Sequence, residues 1–188
     1  MDKEKKLAGK KIIIGITGGI AVYKIATLVN NFIKLGVQVK VIMTEAATKF
    51  VTPLTFQALL NDEVYIDMWR TKDATKVEHI SLAKWADVFV LAPATANTIG
   101  KIANGIADNL LTTVIMALPK DTHIIIAPAM NTEMWSNKIV QNNIETLKKI
   151  DKRYFFVEPR SGVLACRDEG IGKLAEVEDI ITATLSNC

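Results

Sequence analysis

Residues 88–98 read VFVLAPATANT, and this stretch decides how the rest of the chain is organised. It begins with an uninterrupted apolar run over residues 88–92, whose length and β-branched content are typical of a strand buried on both faces of a parallel sheet. Pro93 is expected to end this strand. The small, hydroxyl and amide side chains that follow would then lie where a strand meets a helix, and α/β proteins bind ligands in such crevices.

The residues after Pro93 also suit the start of a helix. Thr95, or Thr98 three residues later, can cap a helix expected over residues 99–104. The free backbone N–H groups of that helix would point at an anion or a polar ring in the crevice. A capped turn that binds nothing explains these residues equally well when they are taken alone, so the neighbouring loops must decide between the two interpretations.

The composition indicates one domain. A chain of 188 residues can bury about two-thirds of the surface that its unfolded form exposes. The 23 basic and 20 acidic residues leave a net charge of +3, and the excess is concentrated in residues 1–11. We therefore expect a charged tail over residues 1–10 and a folded domain over residues 11–188. The other basic residues are scattered, which argues against a nucleic-acid-binding face.

The location of the protein is predicted to be cytoplasmic. No apolar run approaches the roughly 20 residues of a membrane span, and no apolar signal-peptide core follows the charged N-terminus. Cys166 and Cys188 form neither a disulfide framework nor a CxxC metal pair. No metal site is predicted.

The apolar pattern predicts alternating strands and helices. Strands are predicted over residues 12–14, 37–43, 64–66, 88–92, 123–127 and 154–157, and helices over residues 20–35, 53–60, 80–86, 99–104, 108–118, 136–150 and 176–185, with a loop over residues 158–172. This alternation implies right-handed crossovers and a single doubly wound α/β sheet with mainly parallel strands. The helix over residues 108–118 is apolar around most of its circumference. We expect one of its faces to contact another subunit, and burial within the monomer is the alternative.

The first strand-to-helix turn, GITGGI at residues 15–20, is rich in glycine. It lacks the G-x-G-x-x-G spacing of a dinucleotide site, because Gly15 and Gly18 are three residues apart. Gly18 and Gly19 would instead let the backbone approach one phosphate at the start of the helix, and Thr44 offers a hydroxyl after the second strand. A mononucleotide therefore fits better than NAD. For the paired glycines alone, a tight structural turn is the more frequent explanation.

Three further positions are candidates for chemistry. His79 directly precedes a predicted helix, where a histidine is usually structural or exposed. Asn131 follows the strand over residues 123–127 and can orient a carboxylate or an amide, or simply cap the next helix. Cys166 lies in a glycine-rich segment that we expect to be a mobile flap. Its thiol is a nucleophile, a proton donor or inert, depending on its pKa and exposure.

Several long motifs together resemble the flavin-containing cysteine decarboxylases. They are GITGGIAVYK, MTEAATKFVTPLTFQ, HISLAKWADVFVLAPATANTIGKIANGIADNLLTT, APAMNTEMW and LACRDEGIGKL, and the resemblance extends from residue 9 to residue 180. It implies a flavodoxin-like Rossmann fold, FMN held at a subunit contact, and a homotrimer or dodecamer. The most similar members decarboxylate 4′-phosphopantothenoylcysteine to 4′-phosphopantetheine in coenzyme A biosynthesis.

Transferred position by position, the resemblance implies roles for individual residues. His79 corresponds to the active-site histidine of the family and Cys166 to its catalytic cysteine. The substrate-binding positions correspond to Asn131, Met134 and Ala165. The flavin-binding positions correspond to Gly18, Gly19, Thr44, Thr95, Ala96, Asn97, Thr98 and Ala129. One position departs from the family pattern, because Arg167 stands where glycine usually follows the cysteine.

The expected chemistry explains the need for a flavin. Direct loss of CO2 from a cysteine carboxylate leaves a carbanion without an electron sink, and the sequence has no signature for pyridoxal phosphate or thiamine diphosphate. Hydride transfer to the flavin would give a thioaldehyde, which accepts the electrons as CO2 departs and becomes an enethiolate. Returned hydride and a proton from Cys166 would complete the saturated thiol. His79 would assist thiol deprotonation or hold the substrate, and Asn131 would keep the reactive carbon over the flavin.

Alternative classes remain within the resemblance. The oxidative decarboxylases of a C-terminal peptidyl cysteine, of the lantibiotic type, stop at the enethiol and differ around residues 164–166. The flavin prenyltransferases share the fold but lack the combination of His79 with the PAMN motif at residues 128–131. Non-enzymatic flavin-binding regulatory subunits depend on additional tails. Some relatives are fused to a phosphopantothenoylcysteine synthetase, which is therefore an expected partner.

Overall fold

The computed structural model describes residues 7–69, 77–165 and 167–188. Six strands form one parallel sheet, and two further strands form an antiparallel hairpin. The strands are β1 (Lys11–Ile16), β2 (Gln38–Met43), β3 (Val64–Tyr65), β4 (Val88–Ala94), β5 (His123–Pro128), β6 (Tyr154–Phe156), β7 (Arg160–Val163) and β8 (Glu169–Lys173). The large sheet has the order β3-β2-β1-β4-β5-β6. The predicted doubly wound, flavodoxin-like α/β fold is confirmed.

Helices cover both faces of this sheet. They are α1 (Val22–Lys34), α2 (Glu45–Thr48), α3 (Pro53–Leu60), α4 (Glu78–Trp85), α5 (Ala96–Ala103), α6 (Leu110–Ala117), α7 (Thr132–Ser136), α8 (Lys138–Ile150) and α9 (Val177–Ser186). Apolar side chains of α1, α3 and α9 pack into one core cluster, and those of α4, α5, α6 and α8 pack into a second cluster on the opposite face. None of the helices in the described ranges is long and apolar enough to cross a membrane.

The central strands are apolar on both faces because both faces are covered. Ile12 and Ile14 of β1 belong to the first core cluster, whereas Ile13 belongs to the second. In β4, Val90 belongs to the first core cluster and Phe89 to the second. Every one of these side chains is fully buried. The unbroken apolar runs of β1 and β4 are therefore typical of parallel strands between two helical layers.

The order of the strands changes direction between β1 and β4. The chain moves from β1 outward through β2 to β3 on one side, and from β4 outward through β5 to β6 on the other. The loops after β1 and β4 therefore diverge and leave a crevice at the carboxyl edge of the sheet. This is the topological switch point at which the predicted ligand loops meet.

Several element boundaries differ from the sequence-based prediction, among them the start of α5 at Ala96 rather than at residue 99, and two of the differences have a local cause. Pro93 does not end β4, because the strand continues to Ala94 through a shift in its register with β5. The helix predicted from residue 136 begins at Lys138, because Asn137 caps it by accepting from the N–H of Ile139, and the separate short helix α7 precedes it. Both errors arise where a short local irregularity interrupts an otherwise regular pattern.

The predicted boundary of the N-terminal tail is also wrong. Residues 1–6 lie outside the described ranges, but Leu7 is fully buried in the first core cluster. The N–H of Gly9 donates to the carbonyl oxygen of Gly36 at 2.9 Å. An apolar side chain between lysines thus anchors residues 7–10 to the domain, which the charge count did not reveal.

Helix α6 packs mainly inside its own subunit. Five of its predicted interface residues, Leu110, Leu111, Val114, Ile115 and Leu118, are buried in the second core cluster. Only Met116 among the six is exposed, at 37%. The apolar circumference of this helix is therefore explained by burial within the monomer, and it does not itself indicate a subunit contact.

The segment predicted as a loop over residues 158–172 contains the β7–β8 hairpin. Ser161 pairs with Ile171, and Val163 pairs with Glu169. The guanidinium of Arg160 bonds the carboxylate of Asp179 at 2.7 Å, which ties the base of the hairpin to α9. The glycines that suggested a flap occupy strand positions where the hairpin closely approaches other backbone, as described below.

Candidate functional site

A cavity of about 610 Å³ lies at the switch point between β1 and β4. It is bounded by the turn into α1, by Thr95 after β4, by the loop after β5 and by the β7–β8 hairpin. The lining is mainly apolar, with a few polar groups, as is usual for small-molecule sites. Seven residues predicted for the flavin or substrate line it: Gly18, Gly19, Thr95, Ala129, Asn131, Met134 and Ala165.

The two glycines of the first turn have different roles. A Cβ at Gly18 would lie 2.5 Å from the Cβ of Ala46, so this glycine allows the loop after β2 to pack against the turn. A Cβ at Gly19 would meet no atom within 4 Å. Gly18 is therefore required by packing, whereas Gly19 faces open space beside the cavity.

Thr17 joins the two loops that diverge at the switch point. It is buried, and its hydroxyl donates to the carbonyl oxygen of Pro93 at 2.6 Å. The hydroxyl oxygen of Thr17 also accepts from the N–H of Thr95 at 3.0 Å. One side chain thus fixes the loop after β4 against the loop after β1. Thr17 was not among the predicted site residues, although a lone hydroxyl between a buried strand and two glycines was a usable signal.

Thr95 is the N-cap residue of α5. Its hydroxyl oxygen accepts from the N–H of Thr98 at 3.4 Å, and the hydroxyl groups of Thr95 and Thr98 lie 3.2 Å apart. Thr98 is buried in this cap, whereas Asn97 is exposed in the first turn of the helix. Thr95 lines the cavity, while Ala96, Asn97 and Thr98 do not.

Thr44 lies at the end of β2 and caps α2. Its hydroxyl oxygen accepts from the N–H of Ala47 at 3.3 Å and the hydroxyl donates to the carbonyl oxygen of Ile16 at 3.4 Å. It is not among the residues that line the cavity. In a single subunit, Thr44 supports the turn that contains Gly18, because Ala46, two residues after Thr44, packs against that glycine.

Asn131 follows β5 and is the N-cap residue of α7. Its carbonyl Oδ1 accepts from the N–H of Glu133 at 2.8 Å, which fixes the orientation of the side-chain amide. Asn131 and Met134 both line the cavity. The capping role that the sequence left open is therefore present, and it positions the amide at the edge of the site.

The β7–β8 hairpin is docked against this same loop. The N–H of Met130 donates to the carbonyl oxygen of Gly172 at 2.9 Å. A Cβ at Gly170 would collide with Thr132, and a Cβ at Gly172 would collide with the carbonyl oxygen of Met130. The two glycines thus allow the hairpin to lie directly on the loop of Asn131 and to form one wall of the cavity.

The tip of the hairpin is a tight turn. The N–H of Leu164 donates to the carbonyl oxygen of Asp168, and the N–H of Arg167 donates to that of Leu164, each at 2.9 Å. Arg167 has a φ of 70°, in the left-handed region that favours glycine. Arg167 therefore adopts a backbone conformation that glycine adopts more readily. Cys166 lies outside the described residues, and its neighbour Ala165 lines the cavity.

His79 does not lie with these residues in a single chain. It is half-buried in the first turn of α4, on the sheet face that carries α5, α6 and α8. It is not among the residues that line the cavity. The structure therefore brings together most of the predicted cofactor and substrate residues but leaves the predicted active-site histidine apart from them.

Two lysines line the cavity as well. Lys24 lies in the first turn of α1, and Lys173 is the last residue of β8. Tyr23, Leu164 and Leu174 are further lining residues. Sequence reasoning missed all of these, because only the three-dimensional approach of α1 to the hairpin brings them to the site.

The pattern of the flavoprotein family matches residues 1–188 of the sequence. The chain belongs to the flavoprotein family. It is 48% identical over 172 residues to a probable phosphopantothenoylcysteine decarboxylase of Streptococcus mutans, covering 92% of this chain and 95% of that protein. It is also 46% identical over 175 residues to the coenzyme A biosynthesis bifunctional protein CoaBC of Bacillus subtilis, covering 93% of this chain but only 42% of that protein.

Solved flavoprotein structures show the same fold. A cysteine-to-serine mutant of PPC decarboxylase complexed with pantothenoylaminoethenethiol has a TM-score of 0.83 and 33% identity, with 94% of this chain and 96% of that chain covered. The FMN binding protein AtHal3 has a TM-score of 0.79 and 33% identity, with 93% and 94% covered. The resemblance inferred from the sequence motifs is thus confirmed.

The cavity has the features that a flavin mononucleotide requires. Among the described residues, no acceptor is found for the backbone N–H groups of residues 18–21 at the start of α1. A helix start with free N–H groups suits a phosphate, and the mainly apolar lining suits a planar ring system. The open space at Gly19 allows a ligand to approach the backbone there.

Proposed function

We propose that this flavoprotein uses FMN to decarboxylate 4′-phosphopantothenoylcysteine, giving 4′-phosphopantetheine and CO2. The observation that carries the proposal is a single cavity shared by the glycine turn after β1, the Asn131 loop and the β7–β8 hairpin. The similarity to the Streptococcus mutans protein over 95% of its length supports the same substrate. The enzyme is then a carboxy-lyase of coenzyme A biosynthesis.

The cofactor would be held at the carboxyl edge of the sheet. Gly18, Gly19 and Thr95 would contact its phosphate and ribityl chain, and Ala129 would contact its ring. Ala96, Asn97 and Thr98 would act through the first turn of α5, and Thr44 through the loop that supports Gly18. When bound, the flavin supplies the oxidation of the thiol-bearing carbon and later returns the same electron pair.

The other residues of the cavity would act on the substrate. Asn131, whose amide is already oriented by the N–H of Glu133, would hold the carboxylate or the adjacent amide of the cysteinyl end. Met134 and Ala165 would pack against the same end and exclude water. Cys166 would donate the proton that completes the saturated product. The cysteine-to-serine mutant of PPC decarboxylase is complexed with pantothenoylaminoethenethiol, an enethiol, which supports a cysteine as the proton donor.

His79 would complete the site from a second copy of the chain. This arrangement is supported by the position of His79 on the sheet face away from α1 and by exposed apolar side chains close to it, Val77 and Ile80. Ile20 and Tyr23, beside the cavity, are exposed as well. We propose a homotrimer, or a dodecamer made of four trimers, in which these apolar surfaces meet and His79 reaches the substrate thiol of a neighbour.

The biological setting follows from the proposed reaction. We propose that a phosphopantothenoylcysteine synthetase supplies the substrate, since in CoaBC of Bacillus subtilis this chain matches 42% of a bifunctional protein. A cytoplasmic location is proposed because the sequence offers no disulfide framework. Neither proposal alters the roles proposed above for the residues of the cavity.

The test is to identify the cofactor and the product together. Denaturation of the purified protein should release FMN and no other flavin, as judged by chromatography against standards. Incubation with 4′-phosphopantothenoylcysteine should release CO2 and give the saturated thiol, measured by mass spectrometry. An unsaturated enethiol as the final product would instead favour the peptidyl-cysteine type of reaction. Failure to bind FMN even after reconstitution would refute the enzymatic function.

A further inference from the structure

The cavity has two cationic groups in its lining. Its lining is mainly apolar, and Lys24 and Lys173 are its only lysine or arginine residues in the described part of the chain. Lys24 comes from α1 and Lys173 from β8, so two separate elements contribute a cation to the same space. An ammonium group beside an apolar cavity is costly unless an anion or water compensates it, and two such groups indicate an anionic ligand.

The positions of these lysines are linked by the segment between β8 and α9. The Nζ atom of Lys24 lies 4.0 Å from a carboxylate oxygen of Glu176, the N-cap residue of α9, and the Lys24 side chain is only 20% exposed. Lys173 lies three residues before Glu176. Its side chain packs beside Gly162, where an added Cβ would lie 3.7 Å from the Cδ atom of Lys173. Within the described ranges, no carboxylate lies within ion-pair distance of Lys173. The described lining thus has two ammonium groups, of which only that of Lys24 has a carboxylate partner.

The nature of the anion follows from the reaction. The proposed substrate carries two anionic groups, the carboxylate that is lost and a phosphate monoester at its far end. A cation fixed against the reacting carboxylate would stabilise the ground state and so oppose the loss of CO2. A cation pair at the phosphate has no such cost, and binding a remote phosphate helps to position the reacting carbon.

The phosphate of the cofactor is a second possible source of the same chemistry. It already has a suitable position at the free N–H groups that begin α1 and at Thr95. Lys173 instead belongs to the hairpin that also carries Ala165, on the wall assigned to the substrate. The hairpin position therefore favours the phosphate of the substrate.

We propose that Lys24 and Lys173 form a subsite for the phosphate monoester of the substrate and select phosphorylated over unphosphorylated substrate. This inference rests on the proposed function. Glu176 limits the positive charge of the subsite by pairing with Lys24. Lysine suits this task because its ammonium is a compact charge with three donors on a flexible chain.

The test compares two substrates that differ only in the phosphate, 4′-phosphopantothenoylcysteine and pantothenoylcysteine. We expect the wild-type enzyme to have the higher kcat/KM for the phosphorylated substrate. Lys173→Met and Lys24→Met should each reduce that kcat/KM about tenfold or more, with little change for the unphosphorylated substrate. Lys173→Arg should retain most of the preference. Lys34→Met, in the last turn of α1 and outside the cavity, is the matched control.

A variant that increases the preference for the phosphorylated substrate would show that the charge of the subsite causes the effect, because a loss of stability would not increase that preference. Glu176→Gln removes the carboxylate that faces Lys24, so it should raise the preference for the phosphorylated substrate. Calorimetric titration of each holoprotein with phosphopantetheine and with pantetheine provides an equilibrium readout that does not need turnover. Fluorescence titration of the apoproteins with FMN should give the same affinity for wild type and lysine variants.

Each contrary result has a definite meaning. Equal losses on both substrates, or equal binding of phosphopantetheine and pantetheine by the wild type, would overturn the subsite. A selective loss of FMN affinity in the lysine variants would assign these lysines to the cofactor phosphate and would also overturn it. If the wild type turned over neither substrate but still bound phosphopantetheine through both lysines, the proposed function would fail while the phosphate subsite stood.

Discussion

The hydroxyl of Thr17 donates a 2.6 Å hydrogen bond to the carbonyl oxygen of Pro93. Because the same hydroxyl oxygen accepts from the N–H of Thr95, a single buried side chain sets the separation of the two loops at the switch point. The width of the cavity at the β1–β4 boundary therefore depends on a residue that does not line it.

Replacement of Thr17 by valine tests this role. Valine fills the same volume but leaves the part-buried N–H of Thr95 without its partner, so we expect the free energy of unfolding to fall by about 1–3 kcal/mol. FMN affinity should fall as well, since the loop after β4 loses its anchor. Thr17→Ser keeps the hydroxyl and should retain flavin affinity. Denaturant unfolding and flavin titration of both variants would measure this, and equal flavin affinity in Thr17→Val and Thr17→Ser would contradict it.

The two glycines of the first turn should separate packing from cofactor binding. Gly18→Ala places a methyl group against Ala46 and should destabilise the protein. Gly19→Val meets open space, so its thermal midpoint should remain close to that of the wild-type apoprotein while FMN affinity falls at least about tenfold. Thermal unfolding of the apoproteins and fluorescence titration with FMN distinguish the two effects. If Gly19→Val bound FMN normally, the cofactor would not approach this turn.

Docking of the hairpin should depend on Gly172. Its φ of 146° is unfavourable for alanine, and a Cβ there would collide with the carbonyl oxygen of Met130. Gly172→Ala should therefore release the hairpin, cost more than about 1 kcal/mol, and raise KM for the substrate. Gly100→Ala, inside α5, is the matched control and should be neutral or slightly stabilising. Limited proteolysis should cut the hairpin faster in Gly172→Ala alone; equal rates would show that docking does not need this glycine.

Arg167 stands in a backbone conformation that glycine adopts more readily. With a φ of 70°, Arg167→Gly should relieve steric strain and increase the free energy of unfolding by about 0.5–1 kcal/mol, after allowance for the greater entropy of glycine in the unfolded chain. Urea unfolding would measure the change. Asp168→Gly, at the next position, lacks a positive φ and should not stabilise the protein. A destabilising effect of Arg167→Gly would mean that the arginine side chain contributes more than its backbone costs.

The roles of Cys166 and His79 can be separated by the products of their variants. Cys166→Ser replaces a thiol with a much weaker acid, so CO2 should be released and the product should lack the last pair of hydrogen atoms. His79→Asn should be impaired in the first step and leave the flavin oxidised. Mass spectrometry and the flavin absorbance spectrum report these outcomes. Saturated product formed by Cys166→Ser at the wild-type rate would exclude the cysteine as proton donor.

If two subunits together form each active site, the same two variants should complement each other. If His79 of one copy completes the cavity of another, coexpression of His79→Asn with Cys166→Ser should give mixed oligomers with restored formation of the saturated product. Each variant expressed alone is the control. Light scattering should show a trimer or a multiple of it. A flavin-bound monomer, or mixed oligomers without restored activity, would contradict the shared site.

The sequence predicted the sheet well because buried parallel strands have long apolar runs. Val88–Ala94 and His123–Pro128 were both located to within two residues at each end. The hairpin was missed because its strands are short and exposed, and its glycines serve close contacts with Met130 and Thr132 rather than turns. No local pattern encodes such contacts.

The site was predicted unevenly for the same reason. Gly19, Thr95 and Asn131 follow strands of the sheet, and residues in that position converge at one edge whatever the details of packing. Thr17 and Lys173 depend on distances between elements far apart in the chain, which sequence spacing does not contain. His79 was a candidate from its position before a predicted helix, and resemblance to a family gave it a role, but the fold of one chain places it away from the cavity.

The bond between Thr17 and Pro93 joins residues 76 positions apart, and the central parallel pair β1–β4 closes a loop of similar length. Such non-local pairing forms slowly, because chain entropy is lost before the contacts are gained. The cavity therefore exists only after the middle of the chain has been synthesised and has docked against its beginning. A ligand that binds this late-formed region stabilises the folded state by mass action. Bound FMN would therefore contribute to the stability of the newly folded chain as well as to its activity.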